Sequence, residues 1–173
     1  DPTATQIVSQ PPCFGDKGSI VIDEVNGGKP PVLFSLNDGA FTQQNAFYNL
    51  NPGVYTVVVQ DAEGCSTTLS ATLIEPEEFQ LIITPQATID LGETYQIITQ
   101  VNVPLTQIQS VQWTPSTGLS CDTCLILTAS PFVSTQYKVE VETEAGCRDD
   151  GTLRLLVDRQ VDAHRAGGFG EPI

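Results

Sequence analysis

Residues 55–65 read YTVVVQDAEGC, and residues 137–147 read YKVEVETEAGC. Each copy places Val two and four residues after its Tyr and closes on Gly-Cys, and the copies begin 82 residues apart. Apolar residues at a period of two make a strand with one buried face. A glycine just before the cysteine marks the turn that reverses that strand. Small all-β sandwiches run to about 100 residues, so one phrase written twice in a chain of 173 predicts two domains of one kind.

The flanking sequence extends the pattern. Before the first copy, TQIVSQ, GSIVIDEV with Ile20 and Ile22, PVLFSLNDG with Leu33 or Phe34 and Leu36, and AFTQQNAFYNL read as four strands separated by turn residues. STTLSATLIEP follows it as the last strand of the unit. Pro76, Glu77 and Glu78 cannot continue a central strand, which puts the first domain at 1–76 and the second at 77–158. The second unit reads FQLIITP, ETYQIITQVNV, TQIQSVQWTP, CLILTAS, TQYKVEVE and GTLRLLVD. No long segment repeats at 3.6 residues, so the expected fold class is all-β, as two tandem Ig-like or PKD-like antiparallel sandwiches. Residues 159–173 hold the only His, His164, and three Gly. They read as a linker or an assembly tail, with Phe169, Pro172 and Ile173 as its apolar contacts.

The net charge is −14, with only seven Lys and Arg, which leaves no cationic face for a phosphate backbone or an anionic bilayer. Nucleic acid is therefore excluded as a partner. No apolar window is long enough to insert into a membrane as a helix. The chain opens on DPTATQ without a leader and reads as a mature segment or a piece of something longer. Five Cys in a Lys-poor β chain point to an oxidising compartment.

LNPGVY, residues 50–55, has the Pro, Gly and Tyr of a tyrosine corner, in which the hydroxyl of Tyr55 returns to the backbone of the preceding turn. SPFVSTQY puts Tyr137 in the equivalent place; plain core packing is the alternative for both. Counting strand directions with a single strand over residues 40–50 brings Cys13 and Cys65 to one end, where they can bridge. Two strands there would separate them beyond bonding reach. In the second unit the same count puts Cys121 and Cys124 at the end of Cys147. A local Cys121–Cys124 disulfide, a bridge from either to Cys147, and a three-cysteine metal site all remain open. The first leaves Cys147 as the odd cysteine, available to another chain. A redox CxxC needs a strand-to-helix context that the sequence lacks.

No catalytic set is visible, because the lone His lies in the tail and removes any Ser/His or Cys/His dyad. No cofactor is implied, although the loop acids Asp16, Asp38, Asp61 and Glu63 can collect as a weak Ca²⁺ site. Trp113 reads as a core residue of the second unit, with sugar stacking as the alternative.

One resemblance adds to this. CFGDKGSIVIDEVNGGKPPVLFSLNDGAF followed by FYNLNPGVYTVVVQDAEGC resembles the SprB-type repeat of Bacteroidetes surface proteins. The shared pattern falls on Cys13, Gly15, Gly18 to Ile20, Gly27, Gly28, Pro30, Phe34 to Leu36, Phe47, Asn49, Leu50, Gly53, Tyr55, Val57, Asp61, Gly64 and Cys65. WTPSTGLSCDTC with TQYKVEVETEAGC resembles the Ig/PKD-like module that follows such repeats. The resemblance implies an extracellular, cell-surface protein carried by type IX secretion, with roles in adhesion or gliding motility and no catalytic residues. The expected function is a structural or adhesive module, either a spacer in a giant adhesin or a filament subunit. Its partners are then proteins, by self-association or through neighbouring repeats, and surface glycans. The alternative is a glycan- or calcium-binding accessory module of a secreted enzyme.

Overall fold

The computed structural model describes residues 1–159. The expected assembly contacts Phe169, Pro172 and Ile173, and His164, lie outside the described residues. The chain forms two units. One comprises Asp1–Glu78 with Ala145–Cys147, and the other comprises Phe79–Glu144 with the residues from Arg148 on. The boundary between 78 and 79 lies two residues beyond the expected one. The assignment of the 145–147 turn to the first unit has no counterpart in the sequence reading.

The first unit is built from β1 (Thr3–Ser9), β2 (Gly18–Asn26), β3 (Leu33–Leu36), β4 (Ala46–Leu50), β5 (Gly53–Gln60) and β6 (Ser66–Leu73). They form two three-stranded sheets, ordered β1–β2–β4 and β3–β5–β6, with antiparallel pairing throughout. The period-two residues meet between them: Ile20 and Ile22 from β2, Phe34 from β3, Val57 and Val59 from β5, and Ala71 from β6 form the buried cluster. At the start of β2 the packing leaves no room for a side chain. A Cβ on Gly18 would stand 2.6 Å from the Ser9 carbonyl oxygen and 2.9 Å from both methyls of Leu73.

The second unit contains β7 (Leu81–Ile82), β8 (Gln86–Asp90), β9 (Tyr95–Ile98), β10 (Gln100–Val101), β11 (Ile108–Thr114), β12 (Ile126–Ala129), β13 (Thr135–Thr143) and β14 (Arg148–Asp158). One sheet runs β11–β13–β14–β8; facing it are the pairs β12–β9 and β10–β7. Trp113, Tyr137, Val139, Val141, Leu153, Leu155, Ile97 and Leu127 fill the space between. Both units are therefore Ig-like β-sandwiches in tandem. Among the described residues the only helical turn is the 3₁₀ turn Leu105–Gln107.

Two strand expectations change. The run FQLIITP shrinks to β7, and β8 emerges after Pro85 as a strand parallel to β14, with Ala87 opposite Leu155 and Ile89 opposite Val157. An edge strand with only two apolar residues carries too short an alternation to be read from sequence. Residues 40–50 do not form a single strand. Thr42 bridges back to Phe34, with mutual N–H···O bonds of 2.7 and 2.9 Å, and only Ala46–Leu50 forms β4.

Crowding at Gly18 yields a direct check. Gly18→Ala must push apart the Ser9 backbone and Leu73, and overpacking of this kind costs about 1–3 kcal/mol. The urea midpoint of the variant should fall accordingly, and an unchanged midpoint would mean that β1 and β6 do not close over this residue.

Candidate functional site at the cysteine-bearing turns

The extra reversal in residues 38–50 decides the cysteine chemistry. The chain comes back along β3 through Thr42 and then rises as β4 antiparallel to β2. Two runs replace the expected one, so the turn after β5 lies at the opposite end of the unit from the β1–β2 loop. Contacts mark both ends. The Gly15 N–H in the β1–β2 loop donates to Glu75 Oε1 at 2.7 Å, and Lys17 bonds Asn51 beside it. Asp61 in the β5–β6 turn instead lies against Gly28 and is bonded by Lys29. A nine-residue strand such as β2 spans about 30 Å, far beyond disulfide reach.

The expected Cys13–Cys65 bridge is thus overturned. Cys13 is bonded to Cys147, with a Cα–Cα distance of 5.5 Å and a sequence separation of 134. Cys65, not Cys147, is the free thiol, and it is half-buried. In the chain-entropy account a ring of this size stabilises by about 5 kcal/mol. The repeated Gly-Cys phrase now divides. Gly64 and Gly146 hold φ of 84° and 87°, a left-handed turn that costs glycine little, so the glycines do the same job in both copies. The cysteines do different ones.

Cys121 and Cys124 are bonded to each other. Trp113 pins their loop twice: its backbone N–H donates to Asp122 O at 2.9 Å, and its indole Nε1–H donates to Cys124 O at 2.9 Å. The loop leaves the C-terminal end of β11 and runs back along that strand, so that Thr123, Leu125 and Ile126 share a groove with Leu105 and Ile108. The turn with Cys147 follows Thr143, which pairs with Ile108 at the other end of that strand. Only β12 and β13 separate this loop from the Cys147 turn, but Cys121 and Cys124 take each other and Cys147 takes Cys13, and among the described residues no three-cysteine metal group forms. Ahead of this disulfide the chain already reverses, with Leu119 bridging to Ala129. No helix follows the CDTC loop; the chain continues as β12.

The acids expected to gather for calcium are split. β3 and β5 are antiparallel, with Leu36 opposite Val57 and Leu33 opposite Gln60. Asp38 follows Leu36 and Asp61 follows Gln60, so they lie at opposite ends, with Asp16 in the loop of Cys13. Among the described residues no three His, Cys, Asp or Glu side chains converge. Asp61 has a different task. Its Oδ1 accepts from the N–H groups of Glu63 and Cys65 at 3.0 and 2.9 Å, and its Oδ2 accepts from Lys29 N–H at 3.1 Å. Burial by itself raises this carboxyl; the three backbone donors outweigh it and hold the group below its ordinary value. Glu63 pairs with the Lys29 ammonium at 2.9 Å, both exposed.

Tyr55 makes the corner read from sequence, its hydroxyl donating to Asn51 O at 2.7 Å. Tyr137 departs from it. Its hydroxyl donates to Thr117 O at 2.8 Å, in the loop before the disulfide rather than in the preceding turn, and burial raises the phenol above its usual value. Trp113 is 1% exposed, which removes it as a sugar platform. Sequence reading missed Gln6 and Gln10. Their amides donate to Ser70 O at 2.7 Å and Thr72 O at 2.9 Å, and Gln10 Oε1 accepts from Ile74 N–H, so they tie β1 to β6 across the open edge of the sandwich. Nothing in two polar residues on the first strand signals this.

Large apolar side chains are exposed in both units, and in the second two of them meet across a strand pair. Ile98 and Ile126 face each other in register on β9 and β12, 50% and 61% exposed. Beside them runs a groove of about 440 Å³ lined by Leu105, Ile108, Val111, Leu125 and Ile126. No described helix is long and apolar enough to cross a membrane.

No family model matches the chain, and no curated protein does. Among solved structures it is similar to the IG1+IG2 pair of DIP-gamma, at 10% identity and a TM-score of 0.45, covering 92% of this chain and 98% of that one. It is also similar to murine CEACAM1b, at 11% identity and 0.37, covering 91% and 100%. The two tandem V-type regions of VCBP3, a v-region-containing chitin binding protein, align at 11% identity and 0.40, covering 88% and 99%. Likeness at this level carries nothing about function.

Two measurements check the site. Peptide mapping of the unreduced protein should give a fragment linking Cys13 to Cys147 and one reactive thiol, at Cys65; a Cys13–Cys65 fragment would return the earlier pairing. The depressed Asp61 carboxyl stabilises fully above about pH 4, its unfolded value, and that contribution is lost as pH falls through the lower folded value. Asp61→Asn should therefore flatten the acid limb of stability against pH, read from urea midpoints, while a parallel limb would mean the turn does not depend on the charge.

Proposed function

We propose that the chain is an extracellular structural and adhesive module of a bacterial surface protein, and not an enzyme. The observation that carries this reading is the Cys13–Cys147 bond. It closes a ring through most of the chain, and such a bond persists only in an oxidising compartment. The chemistry around it supports the same reading, because the side chains singled out from sequence serve the scaffold: Asp61 holds a turn, Tyr55 and Tyr137 anchor loops, and Trp113 pins the second disulfide. The similarity to SprB-type repeats with an Ig/PKD-like module gives the finer form, a spacer of a large adhesin or a filament subunit used in attachment or gliding.

The partner is a protein, a second copy of this chain. The contact surface is the exposed patch of Ile98, Ile126 and Leu105 with the groove beside it, since exposed apolar surface of this kind marks protein contact. Sedimentation of the purified chain over a concentration series tests this. Association should appear and weaken about tenfold or more in Ile126→Glu, as removal of a central apolar anchor costs upwards of about 1.4 kcal/mol. A chain that stays monomeric at its highest soluble concentration, or an Ile126→Glu variant that associates equally, would overturn the surface.

A further inference from the structure

The bond between Cys13 and Cys147 divides the chain by connectivity. A separation of 134 leaves 133 residues, Phe14 to Gly146, inside the ring. Two stretches lie outside it, residues 1–12 and the residues from Arg148 on, and each contains one described strand, β1 or β14. Tension applied at the two ends has a covalent short cut. It runs along β1, across the sulfur–sulfur bond, and along β14.

We propose that the Cys13–Cys147 disulfide is a tension bypass: it confines extension of the pulled chain to the residues outside the ring and makes β1 and β14 the two strands that bear the pull. The inference rests on the reading above only in requiring a module held at both ends.

The construction of the two strands fits this role. Each is bracketed by its point of pulling and a cysteine just beyond its far end, so force passes lengthwise along it and loads its cross-strand bonds together instead of one at a time. β1 is registered against β2 from Thr3–Asn26 to Ser9–Ser19. The Gln6 and Gln10 amides tie its other side to β6. These glutamine bonds gain a purpose that the sandwich alone does not give them, because they brace the strand at the edge where it would slide. β14 is held on both sides, antiparallel to β13 from Thr135–Leu155 to Glu142–Arg148 and parallel to β8 from Gln86 to Asp90. It also anchors the core through Leu153 and Leu155, both fully buried, whereas β1 has no fully buried residue. β1 therefore yields before β14. The strands inside the ring, β2 to β13, are loaded only through those cross-strand bonds and cannot be drawn out while the bond is intact.

Opening the bypass needs a reductant. A dithiol supplies two electrons and two protons, Cys13 and Cys147 become thiols, and the dithiol becomes its own cyclic disulfide. Cys121–Cys124 is reduced by the same reagent, but its ring encloses only two residues and hides no appreciable length.

Single-molecule pulling between residues 1 and 173 tests the proposal, in a Cys65→Ser background that removes thiol exchange. The oxidised chain should extend by no more than its outer residues allow, on the order of 140 Å at about 3.6 Å per residue. Addition of dithiothreitol to the same tether should release a further length of roughly 480 Å, that of the ring. Gln6→Ala with Gln10→Ala should lower the force of the first, short event and leave the length after reduction unchanged. An oxidised chain that releases the ring length, or a reduced one that gains nothing, would overturn the bypass. A capped extension in a chain that never self-associates would sink the contact surface proposed above and leave the bypass standing.

Discussion

A sulfur–sulfur bond between residues 134 apart sets the terms for the rest of this molecule. It joins the β1–β2 loop to the 145–147 turn, both of which belong to the first unit. The unfolded chain, closed into so large a ring, loses much of its conformational freedom. The constraint also explains why the 145–147 turn belongs with the first unit although the strands that lead to it belong with the second. The remaining cysteines then follow. Cys121 and Cys124 take each other across a loop that Trp113 holds in place, and Cys65 is left reduced at the far end of its unit.

The ends of each sandwich are ordered by single polar side chains that gather backbone donors and acceptors. Asp61 collects three N–H groups that would otherwise lack partners in a tight turn. Tyr55 and Tyr137 each give a hydroxyl to a loop carbonyl, and the Trp113 indole does the same. Buried backbone groups must be paired, and a loop without a strand neighbour has only side chains to pair with. That requirement, and not chemistry toward a substrate, accounts for these residues. It also accounts for Gln6 and Gln10, which close the gap between two sheets that share no strand.

Much of this was legible in the residues. Period-two alternation around Ile20 and Val57, and around Val139 and Leu153, predicted strands and a core in each unit, and those residues are buried. The corner at Tyr55 followed from the Pro and Gly before it. What could not be read were reversals made by one or two residues. The Phe34–Thr42 bridge adds a run too short to leave a hydrophobic period, yet it exchanges one end of the first sandwich for the other. A parity count depends on every such reversal, so one unseen run turned the expected Cys13–Cys65 partner into a residue an entire strand length away.

The sequence by itself determined the strand class and the two-unit division, because those depend on local patterning. The tertiary structure alone decided which cysteines meet, where Asp16, Asp38, Asp61 and Glu63 lie relative to one another, and which carbonyl receives the Tyr137 hydroxyl. Those are distances between residues far apart in the chain. They are fixed by strand order and direction, which a period-two pattern leaves undetermined, since either direction buries the same face.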